Sequence, residues 1–215
     1  LDSMLPNYGG NLFNLKAVEN DISINFSDMR DVHSLQYLVK DKDYIFNLAG
    51  QVSHQDSMVD PLMDMEINVK AQLVLLEACR YHNPNVVIVY ASTRQFYGVP
   101  QYVPVNELHP INPPDVNGIN KFAGEQYHAL YSRVYGLKTT CLRLTNTYGP
   151  RQLIKNSRQG FIGWFINRAV TGNAIELYGG GEQIRDFNHV EDVVDAFLLA
   201  ATNSNCYGNF YNLGG

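Results

Sequence analysis

Thr93, Asn117 and Lys121 are the residues whose types and spacing offer chemistry in this chain of 215 residues. Thr93 follows the apolar run 86–91 almost at once, at what the pattern makes the carboxyl end of a strand. Lys121 stands four residues after Asn117, so on a helix an amide and a cation face the same side. Taken singly, such an Asn/Lys pair is a solvated helix face and such a threonine is a turn hydroxyl. Gly50-Gln51 closes a neighbouring apolar run. A hydroxyl at one strand end, a lysine on a helix and a polar turn at the next strand end are together parts able to hold and polarise the hydroxyls of a ligand lying past the strand ends.

The elements that must position these groups follow a βαβ rhythm. Residues 44–49 (YIFNLA) and 86–91 (VVIVYA) are near-continuous apolar runs of strand length, as in a parallel sheet covered on both faces. Between them, Ile67, Leu73, Leu76 and Ala78, with charges at Glu66, Lys70, Glu77 and Arg80, predict a crossover helix over 62–81, ended by Asn83-Pro84. Another helix is predicted over 117–135, closed by Gly136, with a strand over 137–144. Beyond Pro150 the pattern gives a polar loop, a helix over 160–171, a short strand over 175–178 and the turn at Gly179-Gly-Gly181. An open α/β sheet takes ligands beyond the carboxyl ends of its strands. Four expected strand ends carry polar groups there: Asp28, Gly50-Gln51, Ser92-Thr93 and Asn146.

Composition narrows the partners. A hydrophobic share of 45% supports a packed core, and 16 basic against 21 acidic residues, with no basic run, argues against nucleic acid. The three cysteines, Cys79, Cys141 and Cys206, are far apart and form no zinc or disulfide spacing. No metal site is expected, and a reducing cytosol fits best. No apolar run reaches the length of a membrane span. The chain starts at Leu1 and stops within an apparent strand, so a piece of a longer protein is expected.

The ordered set Phe46-Asn-Leu-Ala-Gly50, Asn68-Val69, Ser92-Thr93 before Phe96-Tyr-Gly98, Lys121 with Glu125, Arg143-Leu-Thr-Asn-Thr-Tyr-Gly-Pro150 and Arg185-Asp-Phe-Asn-His-Val-Glu-Asp192 resembles the extended short-chain dehydrogenase/reductase family, in particular its nucleotide-sugar epimerases and 4,6-dehydratases. The resemblance spans essentially the whole chain. It implies a Rossmann-type, doubly wound parallel sheet with a small C-terminal substrate-binding lobe: 1–150 as the NAD-binding part, 151–190 as the lobe and 191–215 as a return to the first part. It implies NAD as cofactor, a nucleoside-diphosphate sugar as substrate and a homodimer built on the helices at 62–81 and 117–135. Position by position, Asp2 resembles the acid on the adenosine ribose, and Asp28 with Met29 the edge of the adenine site. Leu48, Ala49, Gly50 and Gln51 resemble the turn running past the cofactor, with Asn68 below the active site. Thr93 resembles the group bonded to the reacting sugar oxygen, and Lys121 the holder of the nicotinamide ribose. Asn146 and Arg185 resemble the diphosphate anchors. Phe161, Trp164, Phe165 and Tyr178 would wall the base or sugar, although core packing also explains such aromatics.

Two features depart from the family pattern. Its catalytic tyrosine, four residues before the lysine, is here Asn117, an amide that can orient a hydroxyl but cannot take its proton. Its Gly-rich, pyrophosphate-binding turn would precede Leu1. The expected activity is epimerisation or a related redox isomerisation through a transient keto sugar. Arg94-Gln95, where dehydratases tend to carry Asp-Glu, sets 4,6-elimination behind it. An impaired homologue that only binds nucleotide sugars stays open. So does an NADPH-dependent keto-sugar reductase, against which Asp2 speaks because a carboxylate repels a 2′-phosphate.

Overall fold

Both apolar runs become neighbouring strands: β1, Tyr44–Asn47, lies parallel to β2, Val87–Thr93, with Tyr44 opposite Val87 and Asn47 opposite Tyr90. The computed structural model of the chain describes residues 1–155, 157 and 160–214, and the Tyr178 side chain lies outside the described part. β3, Lys138–Leu144, pairs with β2 on its other side, and β6, Phe210–Leu213, returns parallel to β3, giving the order β1-β2-β3-β6. Every pairing in this sheet is parallel, so its faces must be covered by the connecting helices.

Alternation along β2 distributes its side chains between two cores. Ile88 joins Leu35, Leu75, Leu76 and Leu137, under the helices α1 (Val32–Leu38), α4 (Ala71–His82) and α5 (Val116–Tyr135). Its neighbour Val89 points the other way, to Leu142, Val193, Phe197 and Ala200, under α7 (Val190–Thr202). Each fully buried aliphatic side chain contributes about 1.5–3 kcal/mol.

Helix ends follow their local chemistry. The Asp115 side chain accepts from the Gly118 N–H and starts α5; Gly136, at φ 73°, closes it in the left-handed region that glycine enters without strain. The stretch read as one crossover helix, 62–81, is one unbroken helical run from Pro61 to His82 with a π-helical turn inside it. α2 (His54–Val59) and α3 (Pro61–Met65) precede a π-helical turn over Glu66–Lys70, which runs on into α4. The π turn carries Asn68, and such widened turns are frequent at functional sites.

After the sheet, β4 (Asn146–Tyr148) pairs parallel with β5 (Phe187–His189) as a separate two-stranded sheet, flanked by α6 (Phe161–Val170). Two expectations are corrected. Residues 175–178 form no strand: this segment has no ladder partner, and a 3-10 turn starts at Tyr178. No strand forms ahead of Asp28 either; the described link there is the Asp2 N–H donated to the Asn25 carbonyl, at 3.1 Å. Among the described residues no helix is long and apolar enough to cross a membrane, and no three acidic, His or Cys side chains are grouped to hold a metal.

Candidate active site at the strand ends

α5 buries a polar face. Asn117, Asn120, Lys121, Gly124, Glu125, His128 and Tyr131, at helical spacing, are all buried, while Ile119, Leu130 and Val134 are exposed. This reverses the usual amphipathic pattern. It also removes the solvated-face reading of the Asn117/Lys121 pair, which are 1% and 5% exposed.

Lys121 reaches over the end of β2: its Nζ donates to the Ala91 carbonyl at 2.9 Å and lies 5.0 Å from the centre of the Tyr90 ring. Burial pushes its pKa down to about 8, against the pull of the Asp64 and Glu125 carboxylates, which favour the charged form. Gly50, in the turn after β1, lies directly against it. A Cβ at position 50 would come within 3.0 Å of both Lys121 Nζ and Asn68 Oδ1, so glycine lets the turn approach the ammonium. Asn68 fixes that turn from the π segment, accepting from the Gln51 N–H at 3.2 Å and donating to the Gln51 carbonyl at 3.0 Å. Leu48 in the same turn is exposed and Ala49 half-buried.

The Asn117 amide is occupied inside the protein. Its Nδ2 donates to the Gln51 carbonyl at 2.8 Å, to Gln51 Oε1 at 3.1 Å and to Asp64 Oδ2 at 2.9 Å, while Asn120 Nδ2 donates to Asp64 Oδ1 at 2.8 Å. Asn117 therefore ties α5 to the Gly50-Gln51 turn and to a buried carboxylate. Sequence reading missed Asp64, which is 1% exposed on α3; a single acid in a five-residue helix carries no signal of burial.

Thr93 ends β2 half-buried, its Oγ1 accepting from the Gln95 N–H at 3.1 Å. Behind it, Ser92 Oγ donates to Glu125 Oε2 at 2.6 Å, and Glu125 pairs with Arg143 on β3 at 2.6 Å. Arg143 in turn donates to the Tyr97 hydroxyl, which donates to Asn212 Oδ1, so Tyr97 packs within the scaffold. The side chains of His54, Gln95 and Asp115 also meet at this edge, 2.5–2.8 Å apart. Nothing in the sequence joins positions so distant.

The other expected site residues spread outwards. Asp2 is exposed, its Oδ1 accepting from the Met4 N–H at 2.6 Å. Asp28 is paired with Arg30 at 2.8 Å, which holds its carboxyl below the usual range. The Met29 side chain belongs to the core. Asn146 Nδ2 is used on the Asp186 carbonyl at 2.8 Å. In the lobe, Phe161, Trp164, Phe165, Arg168, Leu177 and Arg185 line a cavity of ≈ 540 Å³. The Arg168 guanidinium lies 5.3 Å from the centre of the Trp164 ring. Arg185 donates to Gln183 Oε1 at 2.6 Å, and its charge, after burial, helps lower the pKa of Arg94. Tyr178, expected in the same wall, has a side chain outside the described residues.

Comparison with known proteins agrees with this architecture. A putative UDP-glucose 4-epimerase of Methanocaldococcus jannaschii is 37% identical over 161 residues, 75% of this chain and 52% of the relative. The solved UDP-N-acetylglucosamine 4-epimerase of Methanobrevibacter ruminantium, in complex with UDP-N-acetylmuramic acid, superposes with a TM-score of 0.88 at 30% identity, over 95% of this chain and 65% of that one. The UDP-glucose 4-epimerase of Thermus thermophilus, in complex with NAD, gives 0.82 at 31% identity, over 93% and 65%. The chain thus spans between half and two-thirds of the length of these proteins. The family described as NAD dependent epimerase/dehydratase matches residues 7–214, and with a parallel Rossmann-type sheet, a C-terminal lobe and a buried lysine at the strand ends, the chain belongs to that family.

Proposed function

We propose that the protein carrying this chain epimerises a nucleoside-diphosphate sugar through a transient keto intermediate, with NAD as its cofactor. The observation that carries the reading is Lys121, a buried cation 3.0 Å from where a Cβ on Gly50 would stand. That close approach of bare backbone to an ammonium is a cradle suited to a ribose running past the strand ends. The residues present fit NAD. Lys121 would donate to the nicotinamide ribose, the turn Leu48–Gln51 would line its path, and the exposed second oxygen of Asp2 would accept from the adenosine ribose. When bound, NAD supplies a reversible hydride acceptor.

The chain's own groups hold and orient the sugar. The Thr93 hydroxyl stands at the end of β2 for the reacting sugar oxygen. Asn117 acts one step back, holding Gln51 and Asp64 so that the turn and α5 keep their spacing. Arg185 lines the lobe cavity beside Trp164 and Phe161, where a bidentate guanidinium suits a diphosphate and an aromatic wall suits a base. The protein's net charge of −5 does not oppose this, because local groups set the field in a cleft. Gln95 donates to Asp115, and being an amide it cannot protonate a leaving hydroxyl, which favours epimerisation over 4,6-dehydration. A homodimer through the outer faces of α4 and α5 would cover the exposed Tyr81, Ile119 and Val134.

A second reading, a homologue that binds nucleotide sugars without turning them over, is favoured by one observation: the amide of Asn117 is committed to Gln51 and Asp64. Full-length protein with NAD and a panel of UDP-, dTDP-, GDP- and CDP-sugars separates the two. Epimerised product together with transient NADH absorbance, both lost in Lys121→Ala, supports the enzyme. Tight sugar-nucleotide binding with neither signal refutes it in favour of the second reading.

A further inference from the structure

Every redox step on a sugar hydroxyl moves a proton as well as a hydride, and Asn117 cannot carry that proton. We propose that His54, oriented by Asp115, is the general base and acid of the site; this rests on the epimerase reading above.

His54 opens α2 with a side chain 60% exposed, and its Nδ1 lies 2.5 Å from Asp115 Oδ2, whose own side chain is 11% exposed. Nδ1 also lies 2.8 Å from Gln95 Nε2; with the proton of the neutral ring on Nδ1, that nitrogen donates to the carboxylate, which only accepts, and the Gln95 amide keeps its bond to Asp115 Oδ1. That leaves Nε2 with a bare lone pair on a solvent-accessible ring, the tautomer and orientation that a base in a carboxylate-histidine pair requires. Asp115 is itself fixed. Its Oδ1 accepts from the Gly118 N–H at 2.8 Å, as the cap of α5, and from Gln95 Nε2 at 2.7 Å.

The pair stands beside the start of α5, next to the position of the family's phenol in sequence. Asp115 is two residues before Asn117, and the Asn117 N–H donates to Ser57 Oγ at 3.2 Å, one turn along α2 from His54. Gln95, which holds Asp115, donates its backbone N–H to Thr93 Oγ1 at 3.1 Å. Gln95 thus stands between the imidazole, which its side chain touches, and the Thr93 hydroxyl, which its backbone N–H bonds. In the oxidation, the sugar O–H proton passes to Nε2, the C–H hydrogen leaves with its electron pair to the nicotinamide of NAD, and a C=O bond forms. Reduction on the opposite face of the carbonyl returns both, so each turnover leaves His54 and NAD as they began.

The test uses full-length protein with NAD and the sugar nucleotide that the wild type turns over. His54→Gln, which keeps a hydrogen-bonding side chain, is expected to lower kcat by about 10²–10⁴-fold. The Kd values for NAD and for the sugar nucleotide should stay within about threefold. Added imidazole should restore turnover to His54→Ala, a response that a merely structural histidine would not give. Asp115→Asn, which still caps α5, should lower kcat at least about tenfold through the wrong tautomer. Independently of turnover, the 15N signal of His54 Nε2 should shift when the sugar nucleotide is added. Turnover by His54→Gln within threefold of wild type, or an Nε2 signal indifferent to ligand, overturns the base assignment and leaves the epimerase reading standing. Absence of product and of NADH from the wild type, with the sugar nucleotide bound, overturns the epimerase reading and this one with it.

Discussion

Removing Glu125 tests how the site is braced. Its carboxylate is 0% exposed and the Arg143 side chain 2%. Arg143 Nε lies 3.2 and 3.1 Å from the two oxygens, Nη2 lies 2.6 Å from Oε1, and Ser92 Oγ donates to Oε2. Glu125→Ala leaves the guanidinium in the same dry space, hydrogen-bonded to the Tyr97 hydroxyl and the Glu107 carbonyl and stacked 4.0 Å from the centre of the Phe210 ring, with no anion paired to it among the described residues. Deleting one partner of a buried pair costs about 3–5 kcal/mol, most of it the penalty of the abandoned charge. For a chain of 215 residues, at about 2–4 °C per kcal/mol, the midpoint should fall by about 6–20 °C. Arg143→Ala should cost a similar amount. Once either charge is gone the other is a liability, so the double variant should be more stable than the sum of the singles by about 2 kcal/mol or more. Urea unfolding followed by circular dichroism measures all three. A Glu125→Ala loss under 1 kcal/mol, or strict additivity, would refute the claim that this pair holds β2, β3 and α5 in register behind Thr93.

Other consequences are equally direct. Lys121 titrates near 8 in the fold and 10.5 when free, so between those values the unfolded chain binds a proton that the folded chain does not. Its contribution to stability therefore rises with pH across that window, by at most about 1.4 kcal/mol per unit. The advantage of Lys121→Met over wild type in urea should shrink by that amount from pH 8.5 to 9.5, and a constant difference would show the lysine is not desolvated. Gly50→Ala drives a Cβ to 3.0 Å from Lys121 Nζ and Asn68 Oδ1, so NAD affinity by titration calorimetry should drop about tenfold or more while unfolding changes little. Unaltered affinity would mean the cofactor does not follow this turn. Trp164 is the only tryptophan and lines the lobe cavity under Arg168. Its fluorescence should quench on adding a sugar nucleotide, and Arg168→Ala should weaken that binding by about 1 kcal/mol, the size of a partly exposed cation–π contact. No quenching would place the base elsewhere.

Strands β1 and β2 were legible from near-continuous apolar runs, although in the fold Tyr44 and Phe46 of the edge strand β1 stay exposed. β3, which carries Lys138, Thr139, Thr140 and Arg143, was legible from Gly136, which closes the helix before it. Residues 175–178 imitate a strand by alternation alone. Whether such a stretch pairs depends on a neighbour, and alternation says nothing of neighbours. The site divides in the same way. Thr93 and Gly50 could be singled out because each sits at the end of a readable strand, and strand ends in a parallel sheet converge, and Lys121 because it stands four residues after Asn117 on a readable helix. Asp64, Asp115 and His54 could not, because their meaning comes from distance in space rather than in sequence: His54 and Asp115 are 61 residues apart and Asp64 and Asn117 are 53 apart. The one local trace of the site is the inverted face of α5. A helix that turns Asn117, Lys121 and Glu125 inwards and Ile119, Leu130 and Val134 outwards gains nothing in isolation. Each buried polar group there must find a partner or cost about 1–3 kcal/mol. That they find one another across α2, α3, β2 and β3 means that the polar face of α5 serves both the candidate site and the packing behind it.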